Sequence, residues 1–93
     1  MSYNDSIEAS APSYALYFLQ NVAELWKEAL FCDVTVSVGK TQFQAHKTVL
    51  AAASPFFKAM LLSGMEEQKR NAIQLHDVSP DVFSRIISFI YTG

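Results

Sequence analysis

Two histidines, one cysteine and a scatter of carboxylates are the residues of this chain that could do chemistry. His46 and His76 stand 30 residues apart, with no second cysteine and no carboxylate pair at metal-ligand spacing. A structural zinc site takes four ligands, usually offered in close pairs, so no metal is expected. His46 reads instead as the start of a helix with local bonds, and His76 as a turn residue. Cys32 sits beside Asp33, but a nucleophilic thiolate needs an exposed, cationic setting. Between Phe31 and Val34 it is expected to pack in or beside a strand. No Gly-x-Ser-x-Gly elbow activates any of the serines. No catalytic residue, cofactor or small-molecule substrate is expected, and the chain is not expected to be an enzyme.

Composition narrows the partners. Ninety-three residues make one small domain, able to bury about 60–65% of its unfolded surface. Yet 51% of the residues are apolar and 13% aromatic, so part of the apolar surface is expected to meet a partner. Net charge is −2, and the seven Lys and Arg are spread thinly. Binding a phosphate backbone needs clustered cations, which excludes nucleic acid as a direct partner. No apolar run approaches the ~20 residues that span a bilayer. One cysteine excludes an internal disulfide and suits a reducing compartment. The first residues, Met-Ser-Tyr-Asn-Asp-Ser, lack the regions of a secretory signal. Cytoplasm or nucleus is expected.

The elements that must position these residues follow from periodicity. Residues 1–13 are short and polar and read as a flexible tail. Tyr14 to Leu30 reads as a helix with two adjacent apolar stripes. Leu16, Leu19, Ala23, Trp26 and Leu30 form one; Phe18, Val22, Leu25 and Ala29 form the other. That arc is about half the circumference, wider than the ~100° one core requires, so either a second chain or deeper burial must cover it. Val34, Val36 and Val38 alternate with Thr35 and Ser37 as in a half-buried strand. Gly39-Lys40 offers a two-residue turn, and Thr41, Phe43 and Ala45 continue the inward face. His46–Ala53 reads as a short helix. Ser54-Pro55 is a cap followed by a first-turn proline, and Gly64 is placed to end the helix it opens. Ala72–Leu75 is a third strand. Ser79-Pro80 repeats the cap and opens a helix with apolar residues on most bearings.

Three segments, in order and at fitting intervals, carry a resemblance. They are Phe31-Cys32-Asp33-Val34-Thr35-Val36, the run from Phe43-Gln44-Ala45-His46-Lys47 to Ser54-Pro55-Phe56-Phe57, and the ending Phe89-Ile90-Tyr91-Thr92-Gly93. Together they resemble the BTB/POZ family across residues 14–93. The resemblance implies an α+β fold, a small mixed sheet flanked by helical hairpins. It also implies a homodimer formed through the first helix, with Leu16, Leu19, Val22, Ala23 and Trp26 at the interface. Family members continue past the Tyr-Thr-Gly ending into further helices, so 14–93 is expected to be a domain lacking its C-terminal helices.

Further residues are carried over by resemblance. Asp33 and Lys47 match a charged pocket near the family's dimer interface and are expected to pair. Met65 and Glu67 match a hydrophobic-any-Glu motif of members that bind the cullin-3 scaffold. This favours the BTB–Kelch type, a substrate adaptor of a cullin-3 ubiquitin ligase. The alternative is the BTB–zinc-finger type, which recruits a corepressor through the dimer groove.

Overall fold

The computed structural model describes residues 11–63 and 71–93. The valine alternation forms β1 (Val34–Val38), and its three valines are all buried. A two-residue turn follows, with positive φ at Gly39 alone of its two residues, as a II′-type hairpin needs. It leads to β2 (Thr41–Ala45), antiparallel to β1 with Val34 opposite Ala45 and Val36 opposite Phe43. The third strand, β3 (Ala72–Leu75), lies parallel on the other side of β1 with Val36 opposite Ile73, giving the order β2-β1-β3.

The helices start where their caps stand. Leading into α2 (Lys47–Ala53), His46 holds an extended backbone. Ser54 caps α3 (Pro55–Leu62) and Ser79 caps α4 (Pro80–Thr92), each hydroxyl accepting from the N–H three residues on. The α2–α3 hairpin and α4 cover the sheet's valine face. Phe83, Ile87 and Tyr91, four residues apart on α4, are all buried. The Phe83 ring meets Phe43 edge-on at 5.0 Å and Phe57 at 6.3 Å, an arrangement that favours aromatic pairs. The expected α+β architecture is the one observed.

The first helix, α1 (Ala11–Lys27), differs from expectation at both ends. It begins three residues before Tyr14, so Ala11–Ser13 are helical and not tail. It ends short of Leu30 because Ala29 turns left-handed at φ 56. The N–H of Ala29 then bonds the Trp26 carbonyl, and that of Leu30 the Leu25 carbonyl. This is a Schellman stop, which usually places Gly at the left-handed position. Alanine there hides the stop from a reading by residue type. Among the described residues, no helix is long and apolar enough to cross a membrane.

Candidate functional site

The two stripes of α1 have different fates. Its packing onto the body runs through α4. Ala23 is buried, and Trp26 lies flat on Tyr91, ring centroids 4.6 Å apart and planes 2° from parallel. The indole N–H donates to the Gln44 carbonyl on the edge of β2 at 3.1 Å. Ala23 and Trp26, expected at a dimer interface, are therefore largely used within the protomer. Ala23 is buried there, whereas Trp26 keeps part of its ring exposed. Val22 is half-buried against the core. Leu16 and Leu19 are each 57% exposed. They line a groove of about 620 Å³ opposite Phe89 and Ile90 of α4.

The other stripe is covered only in part: Val22 and Leu25 are half-buried, while its N-terminal end stands open. Tyr14, Phe18, Val22 and Leu25 fall on one side at the helical step of about 100°. Tyr14 and Phe18 are more than half exposed, as is the neighbouring Tyr17. The three rings lean on one another, with Tyr14 centred 6.5 Å from Tyr17 and 6.2 Å from Phe18. An aromatic cluster at the surface of a helix's free half is the most conspicuous apolar feature of the described chain.

Below it, the loop 28–33 is tied down by His46. That side chain is buried and bonds far from its own helix, correcting the expectation of local bonding. Nε2 lies 2.8 Å from the Leu30 carbonyl, and Nδ1 lies 2.7 Å from the Tyr91 hydroxyl. A carbonyl can only accept, so Nε2 carries the ring hydrogen and Nδ1 accepts from Tyr91. The same tyrosine oxygen accepts from the His46 main-chain N–H at 2.8 Å. One buried hydroxyl thus closes a circuit between the start of α2, α4 and the end of α1. Burial pushes the Tyr91 phenol up to about 12. The bond from the His46 main chain opposes that rise, while the nearby Cys32 and Asp33 add to it.

Cys32 is half-buried with Sγ 3.7 Å from His46 Nε2. Burial first, and then the Asp33 charge, raise its thiol pKa, so the sulfur is held protonated and unreactive. Asp33 does reach Lys47, but at the main chain. Its Oδ1 accepts the Lys47 N–H at 2.7 Å, from an exposed position. The contact expected between two charges is thus a carboxylate capping the first residue of α2. Met65 and Glu67 lie outside the described residues. His76 is exposed after β3, and among the described residues no three His, Cys, Asp or Glu gather as metal ligands.

The sequence carries no local signal for the His46–Tyr91 circuit, whose members are 45 residues apart. The one available hint is the helical spacing that places Tyr91 in line with Phe83 and Ile87 on the inward face of α4.

A mixed three-stranded sheet, an α2–α3 hairpin and an apolar first helix define an α+β interaction domain. The BTB/POZ domain family matches residues 22–93, and the chain belongs to that family. Among curated proteins it is 47% identical over 73 residues to mouse TD and POZ domain-containing protein 4. It is 45% identical over 73 residues to mouse TD and POZ domain-containing protein 5. Each alignment covers 78% of this chain, and 20% and 22% of those proteins respectively. The chain thus spans about a fifth of the length of these relatives. Among solved structures, the BTB domain of zebrafish PATZ1 superposes with a TM-score of 0.76 at 35% identity. That match covers 87% of this chain and 64% of the zebrafish chain. The BTB/POZ domain is a protein-interaction fold.

Proposed function

We propose that this chain is a homodimerising interaction module that presents a second protein to, or recruits it onto, the dimer. The observation that carries the reading is the free face of α1. Tyr14, Tyr17 and Phe18 are exposed together, while Ala23 and Trp26 of the adjacent stripe are engaged by the body. Isolated apolar side chains on a surface are ordinary, but a contiguous patch marks an interaction site. The association face is accordingly the Tyr14, Phe18, Val22 and Leu25 stripe, with Leu16 and Leu19 at its margin. A singly placed, protonated cysteine suits a reducing compartment, which supports cytoplasm or nucleus.

For the recruited partner, two readings stand. The hydrophobic-any-Glu pattern at Met65 and Glu67 supports a substrate adaptor that holds the cullin-3 scaffold. The relatives named above are TD and POZ domain proteins and a PATZ1 BTB domain. They support recruitment of a corepressor through the dimer groove at least as well. Calorimetry with cullin-3 separates the two, using the parent domain and its Met65→Ala and Glu67→Ala variants. The adaptor reading expects binding that falls about tenfold or more in each variant, with melting temperature unchanged; truncating an interface anchor often costs about 2 kcal/mol. Absence of binding by the unmodified domain, or full binding by both variants, removes the adaptor reading and leaves the corepressor one.

A further inference from the structure

We infer that Tyr91 and His46 form a latch that sets the direction in which α1 leaves the body, and so the orientation in which its aromatic face is offered to a second copy. The inference rests on the reading of that face as the association surface. Its basis is where α1 is held. The half carrying Tyr14, Leu16, Tyr17, Phe18 and Leu19 is exposed throughout. Attachment is confined to the other half, through Ala23, Trp26 and the turn that follows. Two of those attachments, Trp26 and the turn, meet the same circuit. Trp26 stacks on the Tyr91 ring and donates to Gln44. The Leu30 carbonyl, just beyond the Schellman stop, is held by His46 Nε2. The Tyr91 hydroxyl fixes both the ring and the main chain of His46, at 2.7 and 2.8 Å.

A helix fastened at one end turns a small change at the fastening into a large one at its tip. With a rise of about 1.5 Å per residue, Tyr14 stands roughly 18 Å along the axis from Trp26. A tilt of a few degrees at the latch moves the aromatic cluster by an ångström or more, enough to spoil packing between close-fitting surfaces. The backbone around the latch is strained in a way that needs such fastening. Ala29 and Phe31 both stand left-handed, at φ 56 and 62. A bulky aromatic residue holds that conformation only when its surroundings over-determine it. Asp33 supplies the remaining ties, its N–H to the Ala45 carbonyl at 3.0 Å and its carboxylate to the Lys47 N–H.

Tyr91→Phe removes one oxygen and leaves the Trp26 stack in place, which makes it the variant of choice. Ile73→Val, in the core at 2% exposure, is the control for stability loss alone. Sedimentation velocity below the melting temperature of each should show Tyr91→Phe associating at least tenfold more weakly than the unmodified chain. Ile73→Val should stay within twofold. Equal weakening of both, or of neither, overturns the positioning role. Residual dipolar couplings in a Phe18→Asp background read the latch without association. There, Tyr91→Phe should shift or average the couplings of residues 14–22 relative to those of α4. Unchanged couplings overturn the latch whatever the association constants say. Shifted couplings in a chain that never self-associates would keep the latch and sink the association reading instead. If Tyr91→Phe fails to fold, Trp26→Phe, which drops the Gln44 bond and keeps an aromatic ring, takes its place with the same expected outcomes.

Discussion

Tyr91 is the residue on which three elements converge, and its hydroxyl has a measurable signature. Burial holds the phenol protonated up to about 12, against an ordinary value of about 10 in an unfolded chain. Below pH 10 both states keep the proton, and the hydroxyl contributes in full. Between about 10 and 12 only the unfolded chain releases it, so stability declines across that window. Phenolate absorbance should show one of the chain's four tyrosines titrating late, and Tyr91→Phe should abolish that late step. The same substitution should cost about 1–3 kcal/mol by chemical denaturation, the usual penalty for stranding buried polar groups. A late step that survives the substitution assigns it to another tyrosine. Asp33 and Lys47 give a second residue-scale expectation. Since Asp33 binds the Lys47 main chain, Asp33→Ala should cost about 1 kcal/mol as a lost cap. Lys47→Ala should cost under about 0.5 kcal/mol, as surface changes do. A double-mutant cycle should therefore show little coupling; several kcal/mol of coupling would restore the buried ion pair.

At the scale of elements, the stop of α1 is the place to test local chemistry. Alanine in the left-handed region carries a penalty of about 1–2 kcal/mol, which Gly would relieve, while its freer unfolded chain offsets part of that gain. Ala29→Gly should therefore stabilise the chain by roughly 0.5 kcal/mol; destabilisation would mean that the methyl group packs against something essential. The same helix shows what residue patterns can and cannot tell. Ser54-Pro55 and Ser79-Pro80 mark the starts of α3 and α4 correctly because cap chemistry is local. Val34, Val36 and Val38 mark β1 because a half-buried strand must alternate. The end of α1 escapes notice because its left-handed residue is not the glycine that such a stop favours. The division of its stripes also escapes notice, since both are equally apolar. Only the position of Tyr91 under Trp26 decides which stripe turns inward. Trp26→Ala should accordingly cost about 2–3 kcal/mol of folding stability, near the lower end for a large aromatic because the ring is partly exposed. If that change instead leaves stability intact and only abolishes association, Trp26 belongs to the dimer interface after all.

For the whole molecule, apolar surface is the unbalanced quantity. Besides α1, helix α4 exposes Val82, Ile86 and Phe89, and a second trough of about 390 Å³ lies between α3 and α4 beside the end of β3. The family's small sheet, its hairpin and its first helix could all be read from ordered motifs, because each is written in consecutive residues. The parallel seating of β3 on β1 could not, since it joins segments more than thirty residues apart whose patterns fit either direction. The central claim is that the Tyr14, Phe18, Val22 and Leu25 stripe joins two copies of this chain, while the Trp26 stripe holds one copy together. Sedimentation velocity across a concentration series from about 1 to 100 μM, the range suited to micromolar affinity, tests both halves of that statement. The unmodified chain should shift from monomer to dimer within the series. Phe18→Asp should remain monomeric at every concentration with its melting temperature kept, since a charge at the contact would be desolvated without a partner. An unmodified chain that sediments as a folded monomer throughout, or a Phe18→Asp variant that dimerises as well as its parent, contradicts the account.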